Sequence, residues 1–223
     1  MTLKHVEMVF EVIAFLFAIS VHESAHAWMA NRCGDPTARM LGRITLNPIK
    51  HIDIFGTILL PLLALLANIP MIGWAKPTPV DPRNFRHPVR DDILTSVVGP
   101  ISNFLVAFAA TAILILIKLG SSLGHGGAGA SPRPDPNSLL APVWVLTYEF
   151  MVINVVLAVF NLIPIPPLDG SHVLRHFLPA SARRAYDMVG WFALIALVYL
   201  APSLLDRLLQ PVLGIFTYIV QSA

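Results

Sequence analysis

The fold class predicted by this sequence is an all-α polytopic membrane protein with about five to six transmembrane helices, a short membrane-associated β-strand region and a re-entrant segment. Three observations carry that expectation. Hydrophobic residues make up 56% of the 223 and charged residues 13%, with a mean hydropathy of +0.70, a balance outside the range of an ordinary soluble domain. The apolar residues are gathered into runs long enough to cross a hydrocarbon layer about 30 Å thick. The basic residues fall between those runs, where orientation signals belong, so the formal net charge of +2 is no reason to expect a nucleic-acid partner. The single cysteine, Cys33, excludes an intramolecular disulfide and a cysteine-based zinc site, which leaves histidine and carboxylate as metal ligands. The chain reads as one membrane-embedded domain over residues 1–223.

Residues 6–30 form the first span, more than long enough at about 1.5 Å per residue. A cleaved signal peptide is the competing reading, because Lys4 precedes an apolar stretch and Ala25-His26-Ala27 resembles a cleavage site. Glu7 and Glu11 interrupt that would-be signal core, and Glu11 reads as an inward-facing polar residue three turns before His22. The span ends in Val21-His22-Glu23-Ser24-Ala25-His26-Ala27-Trp28. Residues four apart share a helix face, so His22 and His26 can grip one metal ion while Glu23 stands beside them. This H-E-x-x-H pattern points to metal-assisted hydrolysis, and three ionisable side chains beside an apolar run would be costly without a task.

Over residues 33–53, Gly34, Asp35 and Pro36 end the helix. Met40, Ile44 and Leu46 then alternate with Arg39, Arg43 and Thr45, which predicts a short strand over 40–46, either an edge for a substrate backbone or a plain hairpin. His51 and Asp53 are further ligand candidates by residue type. Residues 54–69 are apolar but only 16 long, about 24 Å as a helix, and contain Gly56, Pro61 and Asn68. Prolines at 77, 79, 82 and 88 predict an irregular loop over 70–92, with His87 a loop residue.

Residues 93–119 read as the second clear span, opening with Gly99-Pro100-Ile101-Ser102-Asn103, where small residues and a buried amide serve helix packing. Residues 120–138 predict a flexible extramembrane loop, with His125 incidental. The span 139–163 runs into Asn161-Leu162-Ile163-Pro164-Ile165-Pro166-Pro167-Leu168-Asp169-Gly170. Three prolines in four residues break the helix, so Asp169 comes from irregular backbone, tolerated at membrane depth only where it lines a cavity or is buried in protein. Asp169 is therefore the best third ligand. His172 and His176, also four apart, compete for that role without a base nearby. Residues 184–205 and 207–221 predict two further apolar helices.

The His22-Glu23-Ser24-Ala25-His26 motif, the Gly99–Asn103 motif and the Asn161–Gly170 motif, in this order and spacing, resemble the site-2 protease family, the intramembrane zinc metalloproteases. Gly42-Arg43-Ile44-Thr45-Leu46-Asn47-Pro48-Ile49-Lys50-His51-Ile52-Asp53 and the stretch 73–86 resemble its compact prokaryotic branch, without PDZ-like or CBS-like insertions. The resemblance implies one zinc ion held by His22, His26 and Asp169, Glu23 as catalytic base, Asn161 near the site, and a membrane-spanning protein substrate. It also implies residence in a prokaryotic cell membrane. Without inserted domains, substrate selection falls to the membrane core or to a regulatory membrane protein; the oligomeric state is open.

The residues alone give a coherent chemistry. Two imidazoles and a carboxylate leave an open fourth position on zinc, as in catalytic sites, where water is acidified toward a pKa of about 7 with Glu23 to take its proton. Asn161 either donates to the developing oxyanion or makes a structural hydrogen bond. A metal-ion transporter or channel using the same His/Asp site is the alternative, but it has no use for Glu23. For Asp169 to emerge on the side where His26 lies, residues 54–69 must dip in and return rather than cross. That arrangement puts eleven of the 15 basic residues inside, against seven for a crossing, and directs the active site toward the cytosol.

Overall fold

The computed structural model describes residues 3–60, 63, 74–125, 134 and 138–223. Helix α1 (Leu3–Cys33) ends where Gly34 takes φ +113°, and a Schellman pair closes it: Gly34 N–H donates to Asn31 O and Asp35 N–H to Ala30 O. The buried Asp35 carboxylate accepts from Thr37 N–H (3.1 Å), Asp81 N–H (2.8 Å) and Asn84 Nδ2 (2.9 Å), tying the later loop to the foot of α1. Burial pushes the Asp35 carboxyl up, but these donors outweigh it and hold the group below its ordinary value.

After the short helix α2 (Thr37–Met40) the structure corrects the sequence expectation: residues 40–46 are not a strand. The Asp35 carboxylate accepts from Thr37 N–H where a helical turn begins, and Gly42, at φ +65°, turns the chain before an extended run can form. Burial along the segment runs against residue polarity. Arg43 is 5% exposed, while Met40 is 79% and Leu46 54% exposed. The Arg43 guanidinium donates to the carbonyls of Lys50 (2.7 Å), Lys76 and Pro77 (3.0 Å). A fully buried His51 follows a 3-10 turn (Pro48–Lys50) and bonds Thr45 O at 2.8 Å.

Of the segment expected over 54–69, the structure describes 54–60 and 63, opening with a π-helical turn (Ile54–Leu59) capped by the Asp53 carboxylate. The chain comes back beside this entry: Lys76 N–H donates to His51 O (2.9 Å), Trp74 N–H to Gly56 O (3.2 Å) and Thr57 Oγ1 to Trp74 O (2.8 Å). The described part of the expected 70–92 loop is irregular apart from a 3-10 turn (Pro82–Asn84), until Pro88 starts the next helix, where its missing N–H costs nothing.

Helix α3 (Pro88–His125) passes through Pro100 and extends six residues into the expected 120–138 loop; 126–133 and 135–137 of that loop lie outside the described residues. Helix α4 (Leu140–Asn161) is followed by the proline-broken turn, then α5 (Asp169–Phe177), α6 (Ala180–Tyr199) and α7 (Pro202–Ser222). The break between the last two comes at Leu200–Ala201, ahead of Pro202, rather than at the charged pair Asp206-Arg207, which sits within a helix that a proline begins.

Among the described residues, four helical stretches are long and apolar enough to cross a membrane: Met8–Cys33, Pro88–Gly120, Leu140–Asn161 and Pro202–Ser222. Helix α6, which opens with Arg183, Arg184 and Asp187, is not one of them. Helix α3 packs against α1, α4 and α5, and a core of Leu114, Trp144, Met151, Val155, Phe216 and Val220 joins it to α4 and α7. Buried Ala14, Ala18, Ala27 and Ala30 on α1 and Ala107 and Ala110 on α3 have the small size that lets helices approach closely in a bundle.

Candidate metal centre

His22 and His26 project from one face of α1, and Asp169 reaches them from the first residue of α5. The Asp169 Oδ2 lies 3.0 Å from His22 Nε2 and 3.4 Å from His26 Nε2, and the two Nε2 atoms are 3.0 Å apart. All three residues are buried or nearly so. Two glycines make this convergence sterically allowed. A Cβ on Gly99 would overlap His26 Nε2 and stand 2.7 Å from His22 Cε1; a Cβ on Gly170 would overlap Leu162 O and stand 2.8 Å from Ile163 O. The first glycine lets α3 pass behind the imidazoles, and the second seats the start of α5 on the backbone that leaves α4.

Hydrogen bonds fix how each ring presents itself. His26 Nδ1 lies 2.6 Å from Thr95 O, which can only accept. His22 Nδ1 lies 2.6 Å from Asn103 Oδ1, and the Asn103 Nδ2 donates to Asn154 Oδ1 (2.8 Å) and Ala18 O (3.2 Å). Each ring therefore carries a proton on Nδ1, and with that proton alone turns an Nε2 lone pair inward. Two lone pairs and a carboxylate oxygen face one point, and the buried Asp169 Oδ2 receives no hydrogen bond. A bound cation would satisfy all three at once. On a tetrahedral zinc with bonds of about 2.0–2.2 Å the ligand atoms stand roughly 3.3–3.6 Å apart; the separations of 3.0, 3.0 and 3.4 Å here come to within about 0.3 Å of that range, and two imidazoles with a carboxylate are a donor set of the kind zinc takes.

Glu23 points to a different neighbour. Its Oε2 accepts from Thr78 N–H at 2.8 Å and Thr78 Oγ1 at 2.7 Å, on the loop that Arg43 staples in place. The structure does not add Asn161 to the cluster: as the last residue of α4 it donates from Nδ2 to Leu157 O at 2.9 Å. His51 is buried against Thr45 O, Asp53 caps the π-helical turn, and His172 and His176 turn to Asp92. Sequence reasoning missed the partners Thr78 and Thr95 and gave Asn103 a packing role alone. The spacing of Thr95, Gly99 and Asn103, one turn apart on α3, was the available signal for the last two.

Comparison with known proteins follows the same pattern. Residues 10–200 match the model of peptidase family M50. A Bacillus subtilis protein named "Putative zinc metalloprotease YwhC" is 35% identical over 93% of this chain and 87% of its own. Proteins named "Putative zinc metalloprotease Rip2" are 29% identical in Mycolicibacterium smegmatis, over 92% of this chain and 72% of theirs, and 28% identical in Mycobacterium tuberculosis, over 86% and 67%. No solved structure matches the chain. With a family match over most of its length, and with two histidines and an aspartate converging as a zinc-type donor set, the chain belongs to peptidase family M50, the site-2 protease family, and is a metalloprotease.

Proposed function

We propose that the protein is an intramembrane zinc metalloprotease that hydrolyses peptide bonds of membrane-spanning protein substrates, using one zinc ion held by His22, His26 and Asp169. The observation that carries this reading is the placing of the donor set: two of its three members lie within a helical stretch apolar and long enough to span a bilayer. Zinc bound there would supply Lewis acidity at an open fourth position. Glu23, adjacent in sequence to His22, would take a proton from the attacking water and deliver it to the leaving amine, with the Thr78 donors orienting its carboxylate. An oxyanion role for Asn161 requires its amide to leave Leu157 O. A transporter would need the ligands alone, and leaves Glu23 without a task.

The re-entrant reading of residues 54–69 is supported by the hydrogen bonds that bring Trp74 and Lys76 back to Gly56 and His51. Together with the charge asymmetry, it supports an active site on the cytosolic side of a prokaryotic cell membrane. The test is a set of single substitutions with zinc analysis and a cleavage assay on a membrane-spanning substrate. Glu23→Gln should lose cleavage and keep zinc, whereas His22→Ala and Asp169→Ala should lose zinc. Full zinc occupancy and activity in Asp169→Ala would overturn the ligand set. For topology, Cys33→Ser with single cysteines at Thr45 and Arg83 should label from one face; labelling from opposite faces would refute re-entry.

A further inference from the structure

The two histidines of α5 that do not face the centre both turn to one carboxylate on α3. His176 Nε2 lies 2.7 Å from Asp92 Oδ2, and His172 Nδ1 lies 3.6 Å from Asp92 Oδ1, so both oxygens of a mostly buried carboxylate are engaged. On α5, Asp169, His172 and His176 stand at positions i, i+3 and i+7, on one side of the helix. On α3, Asp92, Thr95, Gly99 and Asn103 stand at i, i+3, i+7 and i+11 and likewise share a side. One stripe of α3 therefore serves the whole arrangement. Thr95 and Asn103 set the ring orientations of His26 and His22, Gly99 makes room for both rings, and Asp92 grips the helix that brings Asp169.

We infer that Asp92, held by His172 and His176, is a positioning residue that docks α5 on α3 and so places Asp169 at the metal centre. This inference rests on the reading of Asp169 as a zinc ligand. The physical need is plain from the length of the element. Helix α5 has nine residues, entered from a proline-broken turn and left at Leu178-Pro179, so it runs on unbroken from neither α4 nor α6. Its buried residues are the small Gly170 and Ser171, which offer little apolar area to fix it. A paired carboxylate three helical positions before Thr95 supplies a directional contact instead. His176 lies seven residues from Asp169, about 10 Å along the axis, so the grip sets the tilt of the helix as well as its distance. Metal–ligand bonds tolerate errors of about 0.2 Å, which makes such a contact consequential.

The test compares zinc affinity, by competition with a chelator, across variants of the full-length protein in detergent. Asp92→Ala should weaken zinc binding about 10–100-fold, the usual effect of removing a contact that orients a ligand. His176→Ala should act in the same direction but less strongly, and it serves if Asp92→Ala does not accumulate. Asp92→Glu should recover part of the affinity. At saturating zinc the Asp92→Ala enzyme should show a lower kcat with little change in KM. Wild-type zinc affinity in both Asp92→Ala and His176→Ala, alongside zinc loss in Asp169→Ala, would overturn the positioning role and leave the ligand set standing. Retention of zinc in Asp169→Ala would bring down both. A second zinc equivalent in the wild type that is lost in the His172→Ala, His176→Ala double variant would make the cluster a metal site and refute the inference.

Discussion

Gly99→Ala adds one methyl group and leaves His22, His26 and Asp169 in place, yet it should weaken zinc binding by about two to three orders of magnitude. The added Cβ would overlap His26 Nε2, the atom that faces Asp169, and would stand 2.6 Å from His26 Cε1 and 2.7 Å from His22 Cε1. Ordinary van der Waals contact begins near 3.4 Å, so the His26 ring must retreat by about 0.8 Å. That is roughly four times the tolerance of a zinc–nitrogen bond. The retreat is opposed on the other side, where His26 Nδ1 is bonded to Thr95 O at 2.6 Å. Overpacking of this kind costs about 1–3 kcal/mol in folding stability. Loss of one ligand from a site worth about 10–16 kcal/mol, shared among four positions, removes roughly 2.5–4 kcal/mol of zinc binding, or about 10²–10³ in affinity. Chelator competition on purified protein measures it, with circular dichroism to confirm that the helices persist. A Gly99→Ala protein that binds zinc within threefold of wild type would refute the steric argument and the orientation of α3 behind the rings.

Two other predictions concern the supports of the site. Thr78→Val removes the hydroxyl that donates to Glu23 Oε2 and keeps the backbone N–H, so kcat should fall about 2–10-fold with zinc affinity unchanged, and Thr78→Ser should restore it; an unchanged kcat in Thr78→Val would show that the contact does not orient the base. Asp35 is held below its ordinary value in the folded protein, so its contribution to stability is fully present above the unfolded value of about 3.9 and is lost as pH falls through the lower folded one. Thermal unfolding followed from pH 7 down to pH 3 should show Asp35→Asn less stable at neutral pH and with a shallower acid slope than wild type; parallel curves would contradict the donor count around Asp35.

The three residues that converge in the candidate centre were legible because their signals are local. His22 and His26 are four apart in a helical run, and Asp169 follows three prolines that no helix can absorb. What surrounds them was not legible, because it acts across long separations or through backbone atoms: Thr78 is 55 residues from Glu23, the partner of His26 is the Thr95 carbonyl 69 residues on, and Asp92 is 84 residues from His176. The span count shows a different limit, since an apolar run such as 184–205 reads the same from composition wherever a proline later places its break. The strand over 40–46 failed for a physical reason of its own. Alternation separates core from water, but in a chain of this hydropathy an exposed Met40 or Leu46 can face lipid, and the buried position goes to Arg43, which carbonyls can satisfy.

The hydrogen bonds joining His51, Gly56 and Thr57 to Trp74 and Lys76 form a neck. A neck isolates what lies beyond it. Among the described residues, the register on the near side is set by contacts that follow directly on the neck: the Lys76 and Pro77 carbonyls on the Arg43 guanidinium and Thr78 N–H on Glu23.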